Sequence, residues 1–398
     1  MISKKAKKIT PSLTLIIAAK ANKLASEGKN IVSFTAGEPD FNTPDFIVEA
    51  AKVAMDKGQT RYTAASGILP LKQAICDKLK KDNNLEYTPN QIVVSNGAKH
   101  SLYNALCAVL DNGDEVLVPS PYWLSYIELV MLAGGKPKVI QTTVKDGYKL
   151  TPTLLKKSIT PKTKAIFINN PSNPSGVVYS KKELEELAMV LEKVGIFVVS
   201  DEIYEKLIYD GTEYYSLAQF SEALKERTIV VNGLSKAYAM TGWRIGYTAS
   251  NLEIAQAMDN IQSHTTSNAN TIAQYASLAA LSDARGDEFL DKMQATFASR
   301  AKLLTGLLDS IKTIKYIKPQ GAFYVMVDIS HYKGKTLYGK KISSASDVAE
   351  LLVDKALVIT IPCEPFGAPN FIRLSYATSD DKIKLGAERI KEFFKKSN

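Results

Sequence analysis

The chain has 398 residues, 45% of them hydrophobic and 23% charged. That balance excludes a disordered or fibrous polymer and predicts two globular domains, at most three, at roughly 100–200 residues each. The formal net charge of +9 raises the question of an anionic partner, but the basic residues are scattered, the one dense cluster is "KKAKK" at residues 4–8, and no nucleic-acid-reading motif accompanies them, so nucleic acid is not expected.

Cys76, Cys107 and Cys363 lie far apart with no CxxC pair, and the three histidines lack metal-ligand spacing. Neither a disulfide framework nor a metal site is expected, and a reducing cytoplasm fits best. The N-terminal "KKAKKITPSLTLIIAAKA" has the basic start and short apolar run of a secretory signal. Against that reading, Lys20 and Lys23 follow at once, and Leu13, Ile16, Ile17 and Leu24 recur at helical spacing. An amphipathic helix is expected there. No run approaches the ~18 apolar residues that span a bilayer, so no membrane partner is expected.

Short β-branched runs follow along the middle of the chain: "QIVVS" (91–95), "EVLVP" (115–119), "KAIFIN" (164–169), "GIFVVS" (195–200) and "TIVVN" (228–232). Helix patterns separate several of them. The clearest is 180–195, with Ser180 as cap, Glu183 at the capping-box position, a stripe of Leu184, Leu187, Leu191 and Val194, and Gly195 as stop. Apolar strands alternating with helices predict an α/β fold with a mostly parallel sheet covered on both faces. After about residue 285 the texture changes. A helical pattern at 287–310 precedes an alternating strand at 318–330, then "LVITIP" (357–362), "NFIRLSYA" (370–377) and a helix from Asp380. This predicts a smaller α+β domain, made of 1–44 and 286–398, beside a large domain of 45–285. No GxGxxG or GxxxxGK occurs.

In parallel sheets, ligand sites collect at the carboxyl ends of the strands. "IVVS" ends in Asn96, Gly97, Ala98 and Lys99 ahead of a helix pattern, which offers backbone N–H groups to a phosphate. "KAIFIN" ends in "NNPSNPSG", where Asn169, Asn170 or Asn173 is placed to aim an amide into a site. "FVVS" ends in Asp201, a carboxylate that needs a cationic partner if buried. "TIVVN" leads to Ser235 and Lys236, and a desolvated lysine loses its proton readily and attacks carbonyls. A phosphorylated pyridine aldehyde satisfies all of these groups together. Lys236 forms a Schiff base, and Asp201 keeps the ring nitrogen protonated. Gly97, Ala98, Ser235 and Arg244 take the phosphate, and Tyr204 and Asn173 reach the ring hydroxyl.

Eight segments then carry a resemblance: "TAGEPDFNTP", "RYTAASGILPLKQAI", "NGAKHSLYNAL", "PSPYWLSY", "NNPSNPSG", "SDEIYEKLIYDG", "LSKAYAMTGWRIGY" and "FIRLSYA". The chain resembles the fold-type I pyridoxal-phosphate enzymes, within them the class I aminotransferases close to bacterial aspartate aminotransferase. The resemblance implies a seven-stranded large-domain sheet, pyridoxal 5'-phosphate as cofactor and a homodimer with shared sites. It implies that Trp123 stacks on the ring, that Tyr62 reaches the phosphate of the neighbouring subunit, and that Gly37 lends its backbone N–H to the substrate. Arg373 is implied to grip the substrate α-carboxylate, and its strand setting agrees, since a guanidinium there needs an anion. Lys99, aided by the Trp123 indole, is implied to take the distal carboxylate.

The cofactor-binding set is thus Tyr62, Gly97, Ala98, Lys99, Trp123, Asn173, Asp201, Tyr204, Ser235, Lys236 and Arg244. The substrate-binding set is Gly37, Lys99, Trp123, Asn173 and Arg373, and the catalytic set Lys236, Asp201 and Tyr204. The implied reaction is ping-pong transfer of an amino group between aspartate or glutamate and 2-oxoglutarate or oxaloacetate. The alternative is a broader aminotransferase acting on aromatic amino acids or prephenate. Cys363 is open between a place near the substrate and simple packing.

Overall fold

The computed structural model of the chain describes every residue except Met1, Lys4, Lys5, Lys8, Ser12, Asp210, Ser397 and Asn398, so most of the basic cluster at 4–8 lies outside the described residues. The first strand, β1 (Val32–Ser33), joins the C-terminal part of the molecule. The next seven form one sheet: β2 (Ile92–Ser95), β3 (Glu115–Pro119), β4 (Lys136–Ile140), β5 (Thr163–Asn169), β6 (Phe197–Asp201), β7 (Thr228–Gly233) and β8 (Gly246–Ala249). Their order is β2-β8-β7-β6-β5-β3-β4, with β8 antiparallel to both neighbours and the remaining contacts parallel. Strands β2, β7 and β8 are buried throughout, whereas the edge strand β4 carries exposed Lys136. Burial on both faces is what the unbroken apolar runs predict.

The register brings the strand ends level. Asn169 lies opposite Asp201, Asp201 opposite Val231, Gly233 opposite Gly246, and Gly246 opposite Ser95. Four chain exits therefore open side by side on one edge of the sheet.

The helix Lys181–Val194 shows how local chemistry sets a boundary. The Ser180 hydroxyl accepts from the Glu183 N–H, and the Glu183 carboxylate accepts from the Ser180 N–H at 2.7 Å. Gly195 ends the helix in the left-handed region at φ 68°. Leu184, Leu187 and Leu191 pack on Ile166, Ile168 and Val198 of the sheet. Val194 departs from the expected stripe and is 37% exposed, at the last residue of the helix, where Arg227 donates to the Leu191 and Glu192 carbonyls; Val190 is buried instead.

In the C-terminal part β9 (Lys315–Ile317) and β10 (Tyr324–Asp328) come first, and β11 (Thr336–Leu337) and β12 (Lys340–Lys341) form a small antiparallel pair of their own; β9 and β10 join β14 (Ile361–Pro362) and β15 (Phe371–Ser375) in a four-stranded antiparallel sheet of order β14-β15-β10-β9. The alternating strand expected at 318–330 is shorter and does not alternate: Tyr324 to Val327 are all buried. Both faces are covered, since Val325 and Val327 enter the main core while Met326 packs with Cys363, Phe366 and Phe371. β1 pairs in parallel with β13 (Val358–Ile359), and the Ser375 N–H donates to the Phe34 carbonyl. These bonds carry the segment after β1 toward the strand ends of the large sheet. The helix Leu13–Ser26 forms as expected, with Ile17 on the Phe366 cluster and Ala21 buried. Ile16 is 54% exposed, contrary to the expected stripe, because one residue of helix rotates the side chain about 100° away from Ile17.

Ser180→Ala removes one half of the capping box. The expected loss is about 1 kcal/mol in urea-induced unfolding, with activity unchanged.

Candidate active site

The anionic end of the site comes from a helix start. Gly97, at φ +86°, precedes the helix Ala98–Val109, and no side chain caps its first N–H groups. Arg244, itself in the left-handed region at φ 58°, lays its guanidinium on Gly97. A Cβ at Gly97 would sit 2.3 Å from Arg244 Nη2, and one at Gly246 would sit 2.2 Å from the Ala98 nitrogen. Both positions therefore require glycine. Arg244 Nη1 donates to the Thr241 carbonyl at 2.8 Å. An open helix N-terminus beneath an arginine, in the cleft that buried Ser235 also lines, is an arrangement suited to an anion.

Asp201 sits at the end of β6 and is buried. Its Oδ2 accepts from the Tyr126 hydroxyl at 2.6 Å and its Oδ1 from the Ile203 N–H at 3.3 Å. Burial pushes its pKa up to about 6, although the Tyr126 bond and the charge of Lys236 pull the other way. Among the described residues no cation lies within salt-bridge distance of it. Lys236 follows β7, and its Nζ donates to the Gly37 carbonyl. Burial lowers its pKa to about 8; Glu38 opposes this, while the positive charges of Arg244 and Arg373 assist it.

Arg373, on β15, is only 2% exposed. Its Nη1 donates to Asn173 Oδ1 at 2.9 Å, its Nη2 to the Thr35 carbonyl at 3.5 Å, and its guanidinium lies 4.2 Å from the Tyr324 ring centre. Its Nε is buried with no partner. A desolvated guanidinium with an orphaned N–H calls for an anion. The Asn173 N–H is held by Asn169 Oδ1 at 2.8 Å, and the Tyr204 and Tyr324 hydroxyls are 3.0 Å apart. Lys99 Nζ stands 4.8 Å from the centre of the Trp123 ring.

The model of the class I and II aminotransferases matches residues 29–390. The chain belongs to this family. It is 47% identical over 395 residues to the aspartate aminotransferase of Bacillus sp. (strain YM-2), covering 99% of each chain. It is 45% identical to the aspartate/prephenate aminotransferase of Cereibacter sphaeroides, over 97% of this chain and 96% of that protein. The crystal structure of the aspartate aminotransferase from Rhizobium meliloti superposes with a TM-score of 0.96 at 39% identity, covering all of both chains. That of the Thermus thermophilus enzyme with maleate gives 0.93 at 38%, covering 99% of each. The α/β architecture is the fold-type I arrangement of these relatives.

In this aminotransferase one cleft is lined by Gly37, Ala98, Lys99, Trp123, Asn173, Asp201, Tyr204, Ser235, Lys236, Arg244 and Arg373, with Gly97 directly under Arg244. Its volume is about 760 Å³. Small-molecule sites commonly measure about 300–1,000 Å³, so the cleft is of the size that takes a small organic ligand. Tyr62 stands apart: it is 88% exposed and does not line the cleft of its own chain. Of the three asparagines, Asn169 and Asn173 line the cleft. Asn170 is turned into the structure, donating to the Tyr215 carbonyl and accepting from the Tyr179 N–H. Cys363 packs: it is fully buried, with Sγ 3.6 Å from the Ile361 carbonyl. Sequence reasoning missed Tyr126, Thr35, Glu38 and Tyr324 as cleft residues. Only the demand of a buried Asp201 for a donor pointed toward Tyr126, and the demand did not say which residue answers it.

The lowered proton affinity of Lys236 is directly measurable. In the protein stripped of small molecules, acylation of Lys236 by an amine-directed reagent, followed by peptide mass spectrometry, is expected to show a midpoint near pH 8. Exposed lysines react with midpoints near ~10.4. A Lys236 midpoint equal to theirs would refute the electrostatic account.

Proposed function

We propose that this chain is a pyridoxal 5'-phosphate-dependent aminotransferase. It exchanges the amino group of L-aspartate or L-glutamate with 2-oxoglutarate or oxaloacetate in ping-pong order. The observation that carries the proposal is the set of unmet demands in one cleft. Among the described residues, Asp201 is a buried carboxylate with no cation in salt-bridge reach and Arg373 a buried guanidinium with no anion, and Lys236 is an amine poised to lose its proton.

These residues fit the cofactor. Gly97, Ala98, Ser235 and Arg244 would hold its phosphate, Asp201 its ring nitrogen, Tyr204 and Asn173 its ring hydroxyl, and Trp123 its face. Lys236 would bind its aldehyde carbon. Once bound, the cofactor supplies an electron sink for the charge left on the substrate Cα. The chain's own groups do the rest. Arg373 orients the substrate through its α-carboxylate, with Asn173 fixing the plane of the guanidinium. Lys236 Nζ, its pKa lowered to about 8 by burial, takes the Cα proton and later returns a proton. Lys99, beside Trp123, meets the distal carboxylate of a dicarboxylic substrate.

We further infer a large domain of 45–285 and a small domain of 1–44 with 286–398. The seven-stranded and four-stranded sheets fall one in each part, which supports the division. The exposure of Tyr62 in a single chain supports a homodimer in which Tyr62 of the partner subunit reaches the phosphate. We also infer a cytoplasmic home, from three cysteines far apart in the sequence with no CxxC pair. A second reading has a specific basis: several relatives are named aspartate/prephenate aminotransferases, and Lys99 is a flexible point charge rather than a rigid fork.

Borohydride treatment of the loaded protein is expected to fix a chromophore to the Lys236 peptide. Single-turnover half-reactions with a panel of amino donors then decide between the two readings. Lys99→Ala is expected to raise the requirement for aspartate about 10-fold or more while leaving phenylalanine nearly unaffected. Arg373→Ala is expected to weaken every amino acid by about 100-fold. Equal effects of Lys99→Ala on both donors would remove its role in choosing dicarboxylates.

A further inference from the structure

The hydroxyl that holds Asp201 belongs to Tyr126, a residue that takes no part in the reaction set out above. Resting on that reading, we propose that Tyr126 is a positioning residue that acts through Asp201. Its O–H fixes the rotation of the carboxylate and holds it as the anion that pairs with the cofactor's ring nitrogen.

Three observations support the assignment. First, Tyr126 is the one side chain that donates to the Asp201 carboxylate among the described residues, and the 2.6 Å bond to Oδ2 contrasts with the long 3.3 Å backbone bond to Oδ1. Oδ2 is thereby committed, and Oδ1 keeps the freer lone pairs for a ligand N–H. Second, the Tyr126 ring cannot swing away. It is 1% exposed and stacks on Phe167 of β5 at 4.3 Å and 13° between planes. Third, Tyr126 is tied to Trp123: its N–H donates to the Trp123 carbonyl at 2.9 Å, and the two rings meet edge to face at 5.6 Å. The chain turn from Trp123 into the helix Ser125–Leu132 thus carries both the aromatic that lines the cleft and the donor to the carboxylate.

The other groups that face Asp201 do not duplicate this role. Lys236 favours the carboxylate by its charge but is itself easily deprotonated. Tyr204 is engaged with the Tyr324 hydroxyl. Tyr214 interacts chiefly with Glu202. With the Tyr126 bond in place, burial already carries the Asp201 pKa up to about 6. Removing the bond leaves burial less opposed, so the pKa rises further and the carboxylate is lost at a higher pH. The acid limb of activity then moves upward.

The test is a double-mutant cycle read on cofactor uptake rather than on turnover. Pyridoxal 5'-phosphate is titrated by absorbance into apoenzyme of the wild type, Tyr126→Phe, Asp201→Asn and the double variant. Tyr126→Phe is expected to weaken uptake about 10-fold or more, to shift the acid limb of kcat upward, and to cost little in the Asp201→Asn background. Unchanged affinity and pH profile, or the same loss in both backgrounds, would overturn the proposal. Phe167→Leu keeps the hydroxyl but removes the stack that aims it. It is expected to give a smaller loss that also vanishes with Asp201→Asn, and it carries the test if Tyr126→Phe does not fold. An unchanged Phe167→Leu protein then counts against the proposal. Failure of the wild-type apoenzyme to take up the cofactor at all would instead sink the function proposed above.

Discussion

A carboxylate at the end of a fully buried strand is the constraint around which this molecule is arranged. Asp201 has left water with one tyrosine hydroxyl and one long backbone bond as compensation. That is too little to keep an isolated carboxylate comfortably ionised, and its proton affinity rises accordingly. The mostly parallel sheet makes the situation possible, because every strand but the antiparallel β8 delivers its C-terminal residue to the same edge. Positive helix N-termini gather there as well. A ligand that brings both a cation for Asp201 and an anion for the helix start meets two demands of the same edge at once.

The second consequence is the chemistry of Lys236. Burial is the main cause of its lowered proton affinity, and the positive charges of Arg244 and Arg373, which line the same cleft, add to it. The arginines thus assist, and do not by themselves create, the readiness of this amine to lose its proton. Glu38 moderates the effect and is anchored by the Thr241 hydroxyl at 2.6 Å. Thr241 in turn accepts from Arg244 through its carbonyl. A short chain of contacts thus runs from Arg244 to the segment after β1.

Local information was legible in the sequence where local chemistry decides. The helix from Lys181 begins and ends where Ser180, Glu183 and Gly195 say it must. The strand ends were legible for the same reason, since unbroken apolar runs stop abruptly at Asp201 and before Lys236. Contacts set by tertiary geometry were not. Tyr126 and Asp201 are 75 residues apart, and Arg373 and Asn173 are 200 apart. No pattern along the chain distinguishes Tyr126 from any other aromatic on a helix. The burial of β10 on both faces was invisible because its second cover, the cluster around Phe366 and Ile17, comes from distant segments. Tyr62 is the converse case: its role was suggested by family resemblance, while the single chain leaves it in solvent.

The cleft also explains how ligand binding can be strong without rearranging the core. Lys236 is bonded to a neutral carbonyl of Gly37, and Arg373 to the amide oxygen of Asn173 and, at 3.5 Å, to the Thr35 carbonyl. These are stand-ins of modest strength for charged donors. An incoming carboxylate offers Arg373 a charged acceptor, including for the Nε that now has none. Its binding therefore replaces a weak contact and fills an empty one, while Asn173 remains tethered through its backbone to Asn169. Thr35 and Gly37 belong to the segment stitched to β13 and β15, whereas Asn173 and Lys236 follow strands of the large sheet. On the proposed reading, the bonds of Lys236 and Arg373 that cross the cleft are the ones a substrate would compete with, and recognition of its carboxylate would be coupled to the spacing between the two sheets.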